Sequence, residues 1–441
     1  MRILFTKVRL VDEAADAAAS VVVENGRIAE VRLEDDHVAA AGCGDADIRI
    51  DGGGLVLMPA FVDLHVHLRD PGFPLKETLE SGCLAAAAGG YGTLVCMANT
   101  APVLDNPAAA AALRRRSATL GLVDLYPVLS LSRGMDGVDT SHLEALSGET
   151  CAAAGVRMLS EDGKDIADPA VFRRAFTQAA RLGLPVSCHC DAGGPEAAAS
   201  KERGEPRSVY SRLEENIATE RALAVGRETG ARTHIAHVST REAADLVRSE
   251  KAGGAAPAAG FRPTCEATPH HLALTEADAD ALGAESFGRV NPPLRTEEDR
   301  RALLDAVADG TVDAIATDHA PHTEADKAAG APGFTGLETA FSVCHGLLVR
   351  SGRIDLRRLS ALMSAAPARI LGLTDRGRIA VGLRADLVLV DTAARRTVTA
   401  GSLLSKGKNS PFAGRTLEGR VVMTIHDGRI VYDGRNEEMN R

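Results

Sequence analysis

With 441 residues, 45% of them apolar, the chain is too long for a small module and suits one large catalytic unit with a smaller satellite. Its 50 basic and 60 acidic side chains give a net charge of −10, with no basic face for nucleic acid and no polybasic membrane anchor. No apolar run reaches the ~18–20 residues that cross a bilayer, and the first residues, MRILFTKVRLVDEAA, read as a strand rather than a signal peptide.

From the start to residue 56 the chain alternates apolar and polar residues, as in ILFTKVRLVD and SVVVENGRIAEVRL. Asn25-Gly26 supplies a two-residue turn between two such runs, which predicts a β-hairpin. Residues 377–441 repeat the style in ADLVLVD, GRVVMTI and HDGRIVYDG, with Asp427-Gly428 as the turn. The two ends therefore predict one small β-sandwich domain, 1–56 plus 377–441, that serves as scaffold.

Between them, 57–376, short apolar runs end in polar residues. These are FVDLHVH (61–67), TLVCMAN (93–99), VDLYPVLS (123–130) and GVRMLSED (155–162). LPVSCH (184–189), RTHIAH (232–237), RPTCEATPHH (262–271) and VDAIATDH (312–319) follow. Ala-, Leu- and Arg-rich stretches of helical spacing separate them, for example PAAAAALRRRSATLG and EENIATERALAVGRETG. Eight such units predict an α/β fold, a closed (β/α)₈ barrel. The Gly/Ala-rich residues 251–260 read as a surface loop.

Histidines, aspartates and asparagines cluster at the ends of these strands, where a barrel gathers its active site. His65 and His67 share a face because strand side chains repeat every two residues. With Asp162, His189, His237 and Asp318 they are enough ligands for two divalent ions sharing a carboxylate. Such a pair of ions would hold a hydroxide between them, and Asp318 is placed to manage its proton. Glu161, beside Asp162, is expected to face solvent, but either carboxylate could be the bridging ligand. Cys188 and Cys190 flank His189 yet point to the opposite face, so they are read as structural. The eight cysteines form no C-x-x-C pair, which predicts reduced thiols and a cytoplasmic protein.

Seven runs taken together resemble the amidohydrolase superfamily and, within it, the long, barrel-type bacterial dihydroorotases. They are FVDLHVHLRDPG (61–72), ETLESGCLAAAAGGYGTLVCMANTAP (77–102), HIAHVST (234–240) and EATPHHLALT (266–275), with NPPLR (291–295), IATDHAPH (315–322) and GLETAF (336–341). The resemblance implies His65, His67, Asp162 and Asp318 around one ion and Asp162, His189 and His237 around a second, with Asp318 as the base. Zinc is the expected metal, and Mn²⁺ or Co²⁺ suits the same donors. It further implies that Arg69 and Asn99 grip a substrate carboxylate, that Asn291 and His322 contact the ring amide and carboxylate, and that the backbone near Gly333 closes over the ring. The implied reaction is reversible hydrolysis of L-dihydroorotate to N-carbamoyl-L-aspartate in pyrimidine synthesis. The alternatives are an allantoinase, a hydantoinase or dihydropyrimidinase, or a noncatalytic partner of aspartate transcarbamoylase. Family resemblance also carries the expectations of a homodimer and of association with that transcarbamoylase. Hydantoinases place a lysine in the fourth strand, and GVRMLSED has none, Lys164 lying beyond Gly163. His319 and the His270-His271 pair are expected outside the ligand set, and residues 408–414 are expected to pack the tail onto the barrel.

Overall fold

In the computed structural model, which describes residues 1–33, 46–191, 195–204, 207–253 and 261–437, parallel pairing organises the middle of the chain. Strands Phe61–Val66, Tyr91–Cys96 and Asp124–Pro127 form one arc. Leu129–Ser130, Leu159–Ser160, Val186–Cys188, Thr233–Ile235, Thr264–Ala267 and Ala314–Ile315 form the other. The third predicted strand is thus split at Val128, next to Pro127, which has no N–H to give a ladder. The barrel closes opposite this break through the parallel bridge Val66–His319 and the bond from His67 N to His319 O (2.8 Å). The seventh predicted strand is shorter than expected. Thr268 caps a helix at Pro269–Ala273, so His270 and His271 are helical and not on the strand.

Every residue of the first two strands is buried. This explains why the barrel strands read as unbroken apolar runs while the terminal strands alternate. The helix Pro169–Leu182 shows how the outer layer is specified. Asp168 caps it by accepting from Ala170 N and Val171 N, Pro169 opens it, and Gly183 ends it in the left-handed region. Val171, Phe172, Ala175, Phe176, Ala179 and Leu182 fall on one face and join the barrel core.

The chain ends build one eight-stranded sheet containing Arg2–Val11, Asp16–Glu24, Arg27–Leu33, Ile48–Asp51 and Val56–Pro59. From the C-terminal side come Leu387–Thr397, Thr416–His426 and Arg429–Asp433. Asn25 (φ 51°) and Gly26 (φ 79°), and likewise Asp427 (φ 48°) and Gly428 (φ 70°), make the left-handed two-residue turns that their sequences demand. Inward residues from both ends, Phe5, Val21 and Ile28 with Leu387 and Ile425, share one apolar cluster. Ala385 N also bonds Gly26 O, tying the first hairpin turn to the residues that enter the strand Leu387–Thr397. The stretch after Thr397 returns to the barrel, where Leu403 and Phe412 pack with Leu274, Leu294 and Phe334. Of the predicted surface loop at 251–260, residues 254–260 lie outside the described residues.

Candidate active site

The strand period puts Asp63, His65 and His67 on one inward face, and each has a separate task. Asp63 accepts from Thr317 N (3.0 Å) and Thr317 Oγ1 (2.6 Å), tying the first strand to the turn that carries Asp318. Burial raises the Asp63 carboxyl to about 7, against the bonds from Thr317 and His65 that favour its ionised form. Asp318 itself has φ 47°, His237 φ 31° and Arg69 φ 58°. Left-handed backbone at non-glycine residues costs about 1–3 kcal/mol each and persists only where surroundings over-determine it, as they do at functional sites.

His65 is wholly buried, and its Nδ1 donates to Glu266 Oε1 (3.0 Å), a carboxylate that can only accept. That leaves the lone pair of Nε2 facing Asp162 Oδ1 at 3.1 Å and Asp318 Oδ1 at 3.7 Å, with no hydrogen bond of its own. His67 is arranged similarly, with a partner at each ring nitrogen. Its Nδ1 meets Asn99 Oδ1 (3.0 Å), while Nε2 faces Asp318 Oδ1 (3.0 Å) and Asp162 Oδ2 (3.5 Å). Imidazole nitrogens set against carboxylate oxygens share a positive charge with them, either a proton or a metal ion. Donor atoms of His65, His67 and Asp318, and of His65, Asp162 and His237, lie within 4.8 Å of one another in two overlapping groups. The donor set therefore fits a divalent metal.

His189 Nδ1 lies 2.8 Å from His237 Nε2 and 3.2 Å from Asp162 Oδ1, so it borders the second group without completing it. Its Nε2 is met by Asp191 Oδ2 (3.1 Å) and Asn291 Nδ2 (3.0 Å). Burial pushes the Asp162 and Asp318 carboxyls up, yet the neighbouring imidazoles outweigh it and hold both below the usual carboxylate range.

Arg69 and His322 line the same cavity as these acids. Arg69 donates Nε to Pro321 O (3.3 Å), and its Nη2 packs 3.1 Å from His322 Nε2. Lys76 Nζ donates to His322 Nδ1 (3.3 Å), which puts the imidazole proton on Nε2, where Pro332 O accepts it (2.9 Å). Burial, then the charges of Arg69 and Lys76, drive the His322 pKa down to about 3, so the ring is neutral at physiological pH. One cavity of about 270 Å³ is lined by Arg69, Asn99, Asn291, His322 and Gly333 together with His67, Asp162, His189 and Asp318. Gly333 (φ 130°) needs to be glycine, since a Cβ there would meet Ala320 Cβ at 2.6 Å.

All the candidate residues thus converge on one place, with some differences of detail. Asn99 lines the cavity, but its amide is engaged with His67 Nδ1 and, through Nδ2, with Asp162 Oδ2 (3.1 Å). Glu161 is buried and accepts from Leu131 N, Ser132 N and Ser132 Oγ, which overturns the expectation of a solvent-facing side chain. Lys164 Nζ turns away to Met135 O (3.1 Å). The buried thiols of Cys188 and Cys190 are both raised by burial, and the seven described cysteines are all free. His319 meets Glu77, and His271 meets Thr268 and Pro292, outside the two donor groups.

Glu266 was missed by the motif reading, as were Asp63, Lys76 and His234. Glu266 bonds His65 through Oε1 and His234 Nε2 through Oε2 (3.0 Å), and the two imidazoles pull its carboxyl down to about 2 against burial. Removing such a partner of a metal-ligating histidine typically costs about 10- to 100-fold in metal affinity. Glu266→Gln is expected to lose metal affinity by about that factor, because its amide NH₂ must face one histidine N–H. Titration against a competing chelator measures this, and unchanged affinity would remove Glu266 from the centre.

A barrel mouth that gathers histidines and aspartates around a cation site, with a small β domain from both termini, defines a class of metal-dependent hydrolases. The model of the amidohydrolase family matches residues 56–431, and the chain belongs to that family. Within it, relatives named dihydroorotase match nearly end to end. That of Anaeromyxobacter dehalogenans is 41% identical over 96% of both chains, and that of Mycobacterium tuberculosis is 39% identical over 93% of this chain and 94% of its own. Among solved structures, an L-hydantoinase (dihydropyrimidinase) from Arthrobacter aurescens is 25% identical with a TM-score of 0.84, covering 98% of this chain and 96% of its own. Among the described residues no helix is long and apolar enough to cross a membrane.

Proposed function

We propose that this chain is a cytoplasmic dihydroorotase, reversibly hydrolysing the ring amide of L-dihydroorotate to N-carbamoyl-L-aspartate. One observation carries the reading: one cavity is lined both by the Arg69 guanidinium and by members of the acid–imidazole cation site. A small ring with a carboxylate at one end and a scissile amide at the other matches both at once. A neutral hydantoin or dihydrouracil ring offers the Arg69 guanidinium no carboxylate.

His65, His67, Asp162, His189, His237 and Asp318 would hold two zinc ions, with Asp162 shared between them. When bound, the metals acidify water and polarise the scissile carbonyl. The rest falls to the chain's own groups. Arg69 and neutral His322 orient the ring through its carboxylate, and the Gly333 backbone closes over it. Asn99 keeps His67 and Asp162 in register while lining the wall beside the carboxylate, and Asn291 holds His189 while facing the ring amide. Asp318 takes a proton from the attacking water and returns it to the ring nitrogen as the amide opens.

The test is a parallel assay on L-dihydroorotate, dihydrouracil and allantoin, with and without chelator, with metal measured on the same sample. Turnover of dihydroorotate alone, lost on chelation and restored by Zn²⁺, is expected. Turnover of a neutral ring would transfer the reading to a hydantoinase or allantoinase. Metal without turnover of any ring would favour a noncatalytic role.

A further inference from the structure

Residues 331–335 pass over the cavity with no regular secondary structure beyond one bridge, Phe334 to His319. Their shape therefore depends on side chains that satisfy their backbone groups. Lys327 is fully buried, and its Nζ donates to Arg289 O (2.8 Å), Ala331 O (2.9 Å) and Gly333 O (3.0 Å). The second clasp comes from far along the chain. Asn409 Oδ1 accepts from His322 N (3.0 Å), while its Nδ2 donates to Ala320 O (3.0 Å) and Gly333 O (3.0 Å). Its own carbonyl accepts from Thr335 N (3.2 Å). One amide thus joins the two loops that present His322 and Gly333 to the cavity.

The segment bearing Asn409 is itself moored to the barrel. Glu338 accepts from Leu404 N (2.7 Å) and Ser405 N (3.0 Å). Glu77 accepts from Lys406 N (2.9 Å) and Ser405 Oγ, and its Oε2 also meets His319 Nε2 (3.4 Å), the residue after Asp318. A strap fixed at this end and clasping loops at the other has more to do than cover the barrel.

We infer that Asn409 is a positioning residue for substrate: it sets the spacing of the His322 and Gly333 loops, and through them the grip on the ring carboxylate. The inference rests on the dihydroorotase reading for its substrate but not for its geometry. Neither Asn409 nor the strap touches a proposed metal ligand or the reacting atoms, so binding is affected more than chemistry. A misplacement of about 1 Å by a change far from the reacting atoms can cost about 10²-fold in rate.

Asn409→Ala and Asn409→Asp test it, beside Arg415→Ala, which breaks the Arg415–Asp278 pair (2.7 Å) further along the segment and away from the cavity. Both Asn409 variants are expected to lower kcat/KM for dihydroorotate about 10- to 100-fold, mainly through a raised KM, with metal content little changed. The aspartate can still accept from His322 N but sets a negative charge against two carbonyls. Arg415→Ala is expected to behave as the parent. Amide hydrogen exchange gives a readout free of substrate: His322, which loses its side-chain acceptor, should exchange faster in Asn409→Ala, and Thr335, held by the Asn409 main-chain carbonyl, should exchange faster in either variant as the two loops separate. Unchanged KM and exchange, or a KM rise equalled in Arg415→Ala, would overturn the inference. If the parent protein turns over only a neutral ring, the dihydroorotase reading fails while the exchange arm still decides Asn409.

Discussion

Asp318→Asn is expected to lose about 10²–10⁴-fold in kcat, the usual worth of a general acid–base group, while the protein stays folded. The substitution keeps the size of a buried side chain and its left-handed position, which asparagine tolerates better than most residues. It removes the negative charge that faces His65 and His67, and with it, among the described residues, the only cavity-lining carboxylate besides Asp162. The amide cannot accept a proton from water and hand it on. Steady-state kinetics on dihydroorotate, metal content and a thermal melt together measure the effect. Activity near that of the parent would sink the base assignment, and complete loss of metal would recast Asp318 as a ligand alone.

The parts of this site that were legible in the sequence are those governed by local rules. A period of two predicts that His65 and His67 share a face, and strand-end positions predict that Asp162, His189, His237 and Asp318 meet once the barrel closes. The same applies to the hairpins, since Asn25-Gly26 and Asp427-Gly428 allow few other conformations. What was not legible depends on closure itself. Asp63 shares the face of His65 and His67, so D-x-H-x-H could have flagged it, but its partner Thr317 is 254 residues away. Glu266 stands in a motif read as a unit, and only parallel pairing of its strand beside Thr233–Ile235 shows it between His65 and His234.

Glu161 illustrates the opposite error. A carboxylate beside a proposed ligand looks solvated, because burying a charge is costly unless hydrogen bonds compensate. Here they do, from two backbone amides and a hydroxyl of the preceding strand's loop. Asn99 shows how one residue type can serve two readings. Its place at the end of the second strand suits a substrate contact, yet its amide also orients His67 and Asp162. This leaves Arg69 as the charged group proposed to meet the substrate carboxylate.

Arg69→Met should therefore separate a ring with a carboxylate from a neutral one. The guanidinium is half-buried in the cavity wall; Pro321 O takes its Nε–H, and it stands beside a neutral imidazole. A substrate carboxylate docking there forms a buried, hydrogen-bonded charge pair. Removing one partner of such a pair costs about 2–5 kcal/mol, or about 30- to 5,000-fold in kcat/KM. Methionine keeps most of the length and packing of the side chain, so the loss reports charge and hydrogen bonds rather than a cavity. Dihydroorotate should lose the full factor, mainly through KM, because the carboxylate is bound alike in the ground and transition states. Any residual turnover of dihydrouracil should change little, since that ring carries no carboxylate. Equal losses on both rings would mean that Arg69 holds the wall in place without reading the substrate, and the preference for a carboxylate would have to arise elsewhere.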